Sequence, residues 1–319
     1  MDPGRQPGVR TASIGEMRRR LPAEFVEGLN GLFPQSAAER VLKGMGERRS
    51  TTFRANTLKA SGAEIIRFLH DRHIKYRRPP WYADAFVLTE LDERDVEQWD
   101  LYREGRIYVQ GLSSMVPALA LAPKPGDRVL DLAAAPGSKT TQISAIMKNS
   151  GSIVAVEPNA IRAQRLEYNV RLQGCTIVEV MRGWGERVGA AMPGAFDRVL
   201  IDAPCSGEGR FTAAEPGTWR SWSRRTVAEN VRLQRRLLAS GIRALKPGGT
   251  LVYSTCTVNA EENEAIVEGA LGTQQVVVEP VPIRVPGALP GVRGLDAALR
   301  VVPDRDHEGF FVCRMRKRV

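Results

Sequence analysis

Two of the four cysteines follow apolar runs, a position where functional groups collect in proteins built on parallel sheets. Cys205 follows VLIDAP, and Cys256 follows TLVYST. A thiolate is a strong nucleophile, so either residue could form a covalent bond with a substrate. Asp202, three residues before Cys205, could supply a proton or a hydrogen bond. Burial as a small apolar residue explains each cysteine singly, but two such positions at one sheet edge favour chemistry.

A loop of small residues lies between an earlier apolar run and a helical pattern. It reads DLAAAPGSKT, from Asp131 to Thr140. The glycine and alanines let a ligand approach the backbone, and the start of the helix exposes amide N–H groups. The spacing matches neither a P-loop nor Gly-x-Gly-x-x-Gly. Glu157, about one strand–helix unit later, stands where an acid binds ribose hydroxyls. These features fit a nicotinamide or an adenosylmethionine cofactor.

The elements that carry these residues alternate between strand and helix. Apolar runs such as RVLDLAA, SIVAVEP, FDRVLIDAP and GTLVYSTC are separated by helical patterns such as IRAQRLEYNVRLQG and VAENVRLQRRLLASGIRAL. This alternation predicts an α/β fold with a mostly parallel, doubly wound sheet and helices on both faces. Ligands bind such sheets at the carboxyl ends of the strands, which is where the loops described above fall.

The chain before this sheet has a different composition, and the shift near Gly105 predicts a domain boundary. We expect a flexible leader at residues 1–13, a helical and small α/β RNA-binding domain at 14–105, and a catalytic domain at 106–319. In the second region, IGEMRRRLPAEFVEGLNGLF and AAERVLKGM are typical of helices, and TTFRANTL, IKYRR and AFVLTE of strands. SGAEIIRFLHDRH predicts a helix capped by Ser61.

The net charge of +10 suggests a polyanionic partner. The charge is uneven: residues 40–78 hold eleven Lys or Arg against three acids, and residues 218–246 hold eight against Glu229 alone. Aromatic residues lie close to both runs, which suits RNA binding. A solvated helix face is the alternative for each run.

Composition also excludes several classes of protein. No apolar stretch approaches the roughly 20 residues that a membrane span needs, and the first twenty residues have no signal-peptide core. The four cysteines form no Cys-x-x-Cys pair and the three histidines do not cluster, so we expect neither a disulfide framework nor a metal site. We therefore expect a cytoplasmic monomer with reduced thiols and no membrane partner.

Together, the two cysteine loops resemble those of the RNA cytosine-5 methyltransferases of the Sun type (Nop/Sun family), which use S-adenosylmethionine. The resemblance runs from about Phe53 to Phe311 and includes FRANTL, YVQGLSSMVPALAL, VLDLAAAPGSKTTQI, DRVLIDAPCSGEG, LQRRLLASGIRALKPGGTLVYSTCTVNAEENEAIV and EGFFVCRMRK. It implies a class I (Rossmann-like) methyltransferase sheet with a last, antiparallel strand near GFFVCRMR.

The resemblance also implies roles for single residues in making 5-methylcytosine in ribosomal or transfer RNA. Carbon 5 of cytosine accepts a methyl group only after a thiolate has added to carbon 6. By similarity Cys256 is this nucleophile and Cys205 assists its release, with Lys139 and Asp202 lining the site; a lysine beside the attacking thiol would lower its pKa. The target base should be single-stranded or flipped. The implied cofactor-binding residues are Ala133, Ala134, Ala135, Pro136, Gly137, Ser138, Lys139, Glu157, Arg162 and Asp202.

The sequence departs from the family at one position of the cofactor site. Relatives usually carry an Asp near the adenine, at the end of the third strand, where this chain has Arg182 and Gly183. Backbone amides or Glu186 could replace that contact, or the cofactor could bind more weakly.

Two alternatives stay open. A DNA-type cytosine-5 methyltransferase would use Cys205 with a Glu-Asn-Val motif; the tripeptide occurs at 229–231, but within a helical pattern. A catalytically weak or inactive RNA-binding scaffold would explain the missing acid. We expect Cys175 and Cys313 to be core thiols, and His70, His73 and His307 to be structural or surface residues.

Overall fold

The computed structural model describes residues 11–213 and 215–319. Most of the leader expected at residues 1–13 thus lies outside the described residues. The helices are α1 (Ile14–Arg20), α2 (Ala23–Leu32), α3 (Gln35–Met45), α4 (Gly62–Asp71), α5 (Glu93–Glu97), α6 (Asp100–Arg103), α7 (Leu112–Leu121), α8 (Ser138–Ile146), α9 (Ala160–Leu172), α10 (Gly185–Ala191), α11 (Arg224–Ala244) and α12 (Glu264–Leu271).

Thirteen strands form two sheets within the described residues. The strands are β1 (Thr51–Ala55), β2 (Tyr76–Arg77), β3 (Ala85–Leu88), β4 (Ile107–Val109), β5 (Arg128–Asp131), β6 (Ser152–Glu157), β7 (Val178–Arg182), β8 (Phe196–Asp202), β9 (Leu245–Thr255), β10 (Val276–Glu279), β11 (Leu289–Pro290), β12 (Leu299–Val301) and β13 (Phe310–Lys317).

The large sheet has the order β11-β12-β13-β9-β8-β5-β6-β7, with β10 paired to β13. Strands β5 to β9 are parallel, and β13 runs antiparallel to β9. The chain proceeds from β5 to β6 and β7 on one side, then returns to β8 and β9 on the other. Ligands bind at such a reversal of strand order. The predicted doubly wound sheet and its antiparallel strand near GFFVCRMR are confirmed.

Successive side chains of the central strands point to opposite faces of the sheet and are apolar on both, which explains why helices cover both faces. Leu130 packs with apolar residues of α10, α11 and α12, whereas its neighbour Val129 packs with those of α7 and α8. Both side chains are fully buried. Truncating a buried leucine to alanine costs about 2–5 kcal/mol. The helices packed on both faces therefore hold the ends of the strands in fixed positions. No helix among the described residues is long and apolar enough to span a membrane.

The small sheet is antiparallel in the order β2-β3-β1-β4 and packs against α4. Ser61 caps α4 in a capping box with Glu64, as the sequence predicts. The strand predicted for TTFRANTL ends at Ala55, since the backbone N–H of Lys59 bonds the carbonyl of Asn56 in a turn. Strand β4 pairs with β1 although it lies beyond residue 105. We therefore propose the domain boundary after residue 109.

The first three helices do not pack on the small sheet. The predicted helical region IGEMRRRLPAEFVEGLNGLF splits into α1 and α2 around Pro22, which precedes α2. Their apolar residues share a core with Phe211, Val258 and Val302 of the large unit, and the rings of Phe25 and Phe211 lie 5.1 Å apart. The helices thus form a wall beside the loops that follow β8 and β9.

The basic run at residues 40–78 is only partly available to RNA, which corrects the expectation that it forms one RNA-facing surface. Arg54 is fully buried and donates hydrogen bonds to the side chains of Gln110 and Thr141. Arg49 donates to the carbonyl of Gly209 at 3.0 Å. The buried Arg54 and the partly buried Arg49 thus join the small sheet and the N-terminal helices to the large unit.

Candidate active site

The two cysteine loops meet at the carboxyl edge of the large sheet. Strands β8 and β9 are parallel neighbours, with Asp202 opposite Ser254, so the loops that follow them start side by side. Cys205 and Cys256 are free, partly exposed thiols, and their Sγ atoms lie 3.4 Å apart. The two predicted positions are therefore in direct contact.

The surroundings of the two thiols shift their pKa values in opposite directions. A hydrogen bond from Cys205 lowers the pKa of Cys256, and the Arg210 guanidinium lowers it further. The pKa of Cys205 is raised well above its usual value by that same hydrogen bond, by burial and by the charge of Glu262. Within the pair, Cys256 therefore loses its proton more readily than Cys205.

The sequence predicts that Lys139 lies beside the attacking thiol, but Lys139 pairs with Asp202, and the cation that lowers the pKa of Cys256 is Arg210. Its Nζ lies 2.6 Å from Oδ2 of Asp202 and donates to Oγ of Ser114 at 2.8 Å. Oδ1 of Asp202 accepts from Oγ of Ser254 at 2.8 Å. Lys139 thus anchors Asp202, and Arg210 takes the place expected for Lys139. Arg210 was not among the predicted site residues, although it follows Cys205 by five residues in CSGEGR.

A buried network of polar side chains ties the two cysteine loops together. Ser206 donates its backbone N–H to Glu262 at 2.9 Å, and its hydroxyl shares a hydrogen bond with Thr257 at 2.9 Å. Glu208 accepts hydrogen bonds from Trp222 and Asn259, each at 3.0 Å. These contacts fix the separation of the two sulfur atoms.

Replacing Glu208 with glutamine is expected to remove a pH-dependent part of the stability. Glu208 is 2% exposed, and burial raises its pKa from 4.5 to about 7. Its stabilising contribution is therefore complete below the unfolded pKa and is lost as the pH rises through 7. Since one pKa unit corresponds to about 1.4 kcal/mol, wild type should lose about 3 kcal/mol more than the variant between about pH 5 and pH 8.

Urea unfolding at several pH values measures this difference. Glu268→Gln is the control, because a hydrogen bond from Arg293 lowers the pKa of Glu268 and places its titration below this range. Parallel pH profiles for wild type and Glu208→Gln would show that Glu208 is ionised in the fold.

A cavity of about 290 Å³ connects the cysteine edge with the small-residue loop. It offers an unpaired acceptor: Oδ1 of Asp131 is buried and has no hydrogen-bond partner among the described residues, while Oδ2 accepts from Thr140. Burial raises the pKa of Asp131 to about 6. A buried carboxylate oxygen of this kind suits the ammonium group of a ligand. The lining residues are Ser114, Asp131, Ala133, Ala134, Ala135, Pro136, Ser138, Lys139, Arg162, Asp202, Arg210, Cys256, Glu308 and Phe310.

The predicted cofactor loop has the shape that a nucleoside ligand needs. Gly137 has φ +106, and a Cβ there would lie 2.9 Å from Leu166, so glycine is required before α8. Glu157, at the end of β6, is 1% exposed; its carboxylate accepts from the backbone of Asn159 and lies 3.4 Å from Arg162. A ribose on Glu157 would therefore have to share the carboxylate with Arg162 or displace it. These residues fit adenosylmethionine.

The remaining predicted residues lie where the sequence placed them. Cys175 and Cys313 are buried. Glu229 lies inside α11 and pairs with Arg225, so the Glu-Asn-Val tripeptide is part of a helix and does not follow a strand. No group of three or more His, Cys, Asp or Glu that could hold a metal occurs within residues 11–213 and 215–319.

The parallel sheet, the small-residue loop and the cavity define a class I methyltransferase fold, here with two cysteines at its ligand-binding edge. Within this class the chain belongs to the 16S rRNA methyltransferase RsmB/F family, whose pattern matches residues 118–316. The expected resemblance to the Sun type is confirmed.

Two curated relatives show the extent of the similarity. Ribosomal RNA small subunit methyltransferase F of Serratia proteamaculans (strain 568) is 40% identical over 311 residues, which cover 93% of this chain and 63% of the relative. The protein of the same name from Escherichia coli (strain K12) is 42% identical over 281 residues, 85% of this chain and 57% of the relative. The chain thus spans about three-fifths of the length of these relatives.

Two solved structures share the fold. A methyltransferase homolog protein from Pyrococcus horikoshii is 30% identical with a TM-score of 0.83, over 98% of this chain and 100% of that one. NSun6 from Pyrococcus horikoshii with SFG has the same TM-score, 0.83, at 24% identity, over 94% of this chain and 99% of that one. The second likeness concerns the fold alone.

Proposed function

We propose that this chain is an S-adenosylmethionine-dependent methyltransferase that forms 5-methylcytosine in small-subunit ribosomal RNA through a covalent adduct with Cys256. The observation that carries the proposal is the Cys256–Cys205 contact of 3.4 Å, at the wall of a cavity shared by Lys139, Asp202 and the small-residue loop. The names of the curated relatives support ribosomal over transfer RNA.

In the first step the Cys256 thiolate adds to carbon 6 of a flipped cytosine. Electron density then moves through the ring toward nitrogen 3, where a hydrogen bond or a proton must stabilise it. Asp202 and Lys139 form the ion pair that faces the same cavity, at 2.6 Å from each other. The proton of this pair comes from the Lys139 ammonium, and Asp202 passes it to nitrogen 3, so that carbon 5 becomes nucleophilic.

Bound S-adenosylmethionine supplies an electrophilic methyl group on a sulfonium. The chain's own residues hold this ligand: the free oxygen of Asp131 suits its ammonium, and Ala133 to Gly137 allow close approach of the nucleoside to the backbone. Glu157 is the proposed partner of the ribose, and Arg162 borders the loop, with its guanidinium bonded to the carbonyl of Ala135.

Release requires that carbon 5 lose its proton, for which solvent water that enters the cavity is the acceptor. The electron pair of that C–H bond rebuilds the double bond between carbons 5 and 6, and the bond from carbon 6 to sulfur breaks. Cys205 is the group in contact with the departing sulfur, and its raised pKa keeps it a thiol in the resting state. We assign Cys205 to this release step, which argues against the DNA-type alternative in which Cys205 attacks.

The exposed face of α11 supplies an RNA-binding surface. Arg232, Arg235, Arg236 and Arg243 are exposed and form no ion pair with the described residues. By contrast, Arg225 on the same helix pairs with Glu229 at 2.9 Å. Four unpaired guanidinium groups on one helix attract phosphate groups.

Replacing Arg235 and Arg236 with glutamine is expected to weaken RNA binding about threefold to tenfold and to lower the slope of log K against log salt by about 1.5. Filter binding at several salt concentrations measures both. A double control, Arg225→Gln with Arg293→Gln, removes the same charge from paired positions and should leave the slope unchanged. Equal slopes for both double variants would remove α11 from the RNA-binding surface.

The proposed function is tested by incubating the protein with deproteinised 16S ribosomal RNA and methyl-labelled S-adenosylmethionine, then identifying the labelled nucleoside by mass spectrometry. Label in 5-methylcytosine supports the proposal. Label in another nucleoside would favour a different enzyme. RNA binding without any label, in free RNA and in assembling subunits alike, would favour the RNA-binding scaffold. The proposal includes a cytoplasmic monomer that works without a metal.

A further inference from the structure

The residue that follows β7 is an exposed tryptophan. Strand β7 ends at Arg182, and Gly183 and Trp184 lead into α10. The side chain of Trp184 is 55% exposed, in a chain whose other described tryptophans are only partly exposed. Its indole N–H has no hydrogen-bond partner within the described residues. More than half of this indole is thus open to contact with a ligand.

The backbone on both sides of Trp184 contacts segments of the proposed cofactor site. The N–H of Gly183 bonds the carbonyl of Glu157 at 3.4 Å. On the other side a Cβ built on Gly185 would lie 2.5 Å from the carbonyl oxygen of Leu132, which leads into the small-residue loop. The two residues that flank Trp184 therefore contact the end of β6 and the start of that loop.

We propose that Trp184 binds the adenine ring of S-adenosylmethionine through its face, in place of an acidic side chain at the edge of the ring. The inference rests on the proposed function, because it assigns a residue to the cofactor of that same site. An indole stacks on any purine, whereas a carboxylate reads the exocyclic amine. No carboxylate occupies positions 182–184. The flat face of the Trp184 indole is the surface at these positions that can contact a purine.

The placement of charge around Trp184 agrees with a stacking role. Arg182 is exposed at the end of β7, so the neighbourhood of the indole is basic rather than acidic. Glu186, two residues further on, lies in the first turn of α10 and is partly exposed. A positive neighbour does not weaken contact with the flat face of a purine, since that face is electron-rich.

Calorimetry with S-adenosylhomocysteine tests the inference without catalysis. We expect Trp184→Ala to weaken binding about tenfold and Trp184→Phe to weaken it less than threefold. Tyr168→Ala is the matched control, since Tyr168 is an aromatic side chain with 58% exposure on α9 and should leave binding unchanged. Stacking should also quench the fluorescence of wild type on titration, and Trp184→Phe should lose that part of the signal.

Each outcome decides one question. If wild type binds S-adenosylhomocysteine and Trp184→Ala binds equally well, the stacking role is wrong and the proposed function stands. If wild type shows no binding, the proposed function falls and the inference falls with it. A further probe is S-inosylhomocysteine, which lacks the exocyclic amine: a stacking site should bind it within about threefold of the adenosine compound. A much larger loss would show that the edge of the ring is read instead.

Discussion

Replacing Cys256 with alanine is expected to abolish methyl transfer, with a loss on the order of 10⁵-fold in the rate of a single turnover. Without a thiolate at this position carbon 5 of cytosine is not nucleophilic, and the neighbouring thiol cannot substitute. Burial and the charge of Glu262 raise the pKa of Cys205, so it is a poor nucleophile at neutral pH.

Two matched variants sharpen this prediction. Cys175→Ala removes a buried thiol that lies away from the cavity and should keep nearly full activity. Cys205→Ala removes the hydrogen bond that lowers the pKa of Cys256, so the first methyl transfer should slow to some extent. Release should slow more, so turnover should fall further than the single-turnover rate. Loss of the first turnover in Cys205→Ala, with activity kept in Cys256→Ala, would reverse the roles and support the DNA-type mechanism.

Replacing Asp202 with asparagine is expected to lower the rate about 10³-fold with little change in RNA affinity. The change breaks the 2.6 Å ion pair with Lys139 and leaves that buried ammonium without its counter-charge. Nitrogen 3 of the cytosine then loses its stabilising partner while the nucleophile stays in place. Single-turnover kinetics with saturating RNA measure the effect on the chemical step.

The same strand provides a control for Asp202→Asn. Asp197, near the start of β8, pairs with Lys246 at 2.6 Å, a length equal to that of the Asp202–Lys139 pair, but at the opposite edge of the sheet. Asp197→Asn should change the rate by less than about threefold. Activity of Asp202→Asn within tenfold of wild type would exclude Asp202 from the chemical step.

Sequence periodicity was sufficient to predict the large sheet because apolar strands alternate with amphipathic helices such as α9 and α11. It missed α7, whose sequence LSSMVPALAL contains Pro117 and is apolar on all sides. It also missed α10, because GERVGAA is short and contains Gly189, which must be small to approach the carbonyl of Ser240. In both segments tertiary packing outweighs local propensity.

The contact between the two cysteines could be predicted, since parallel neighbouring strands bring their carboxyl ends together. The charges around them could not. Lys139 pairs with Asp202, and the charge that lowers the pKa of Cys256 comes from Arg210, in the 3₁₀-helix Glu208–Arg210. The partner of a charged side chain depends on the path of the loop that carries it. A sequence pattern does not give that path.

The most direct test of the covalent mechanism is a denaturing gel of Cys205→Ala after incubation with ribosomal RNA and S-adenosylmethionine. An RNA-linked band that disappears on nuclease treatment is expected for this variant, because release is slow once Cys256 has attacked. The band should be missing from the double variant Cys205→Ala/Cys256→Ala. A band that persists in the double variant, or that forms only in Cys256→Ala, would contradict attack by Cys256.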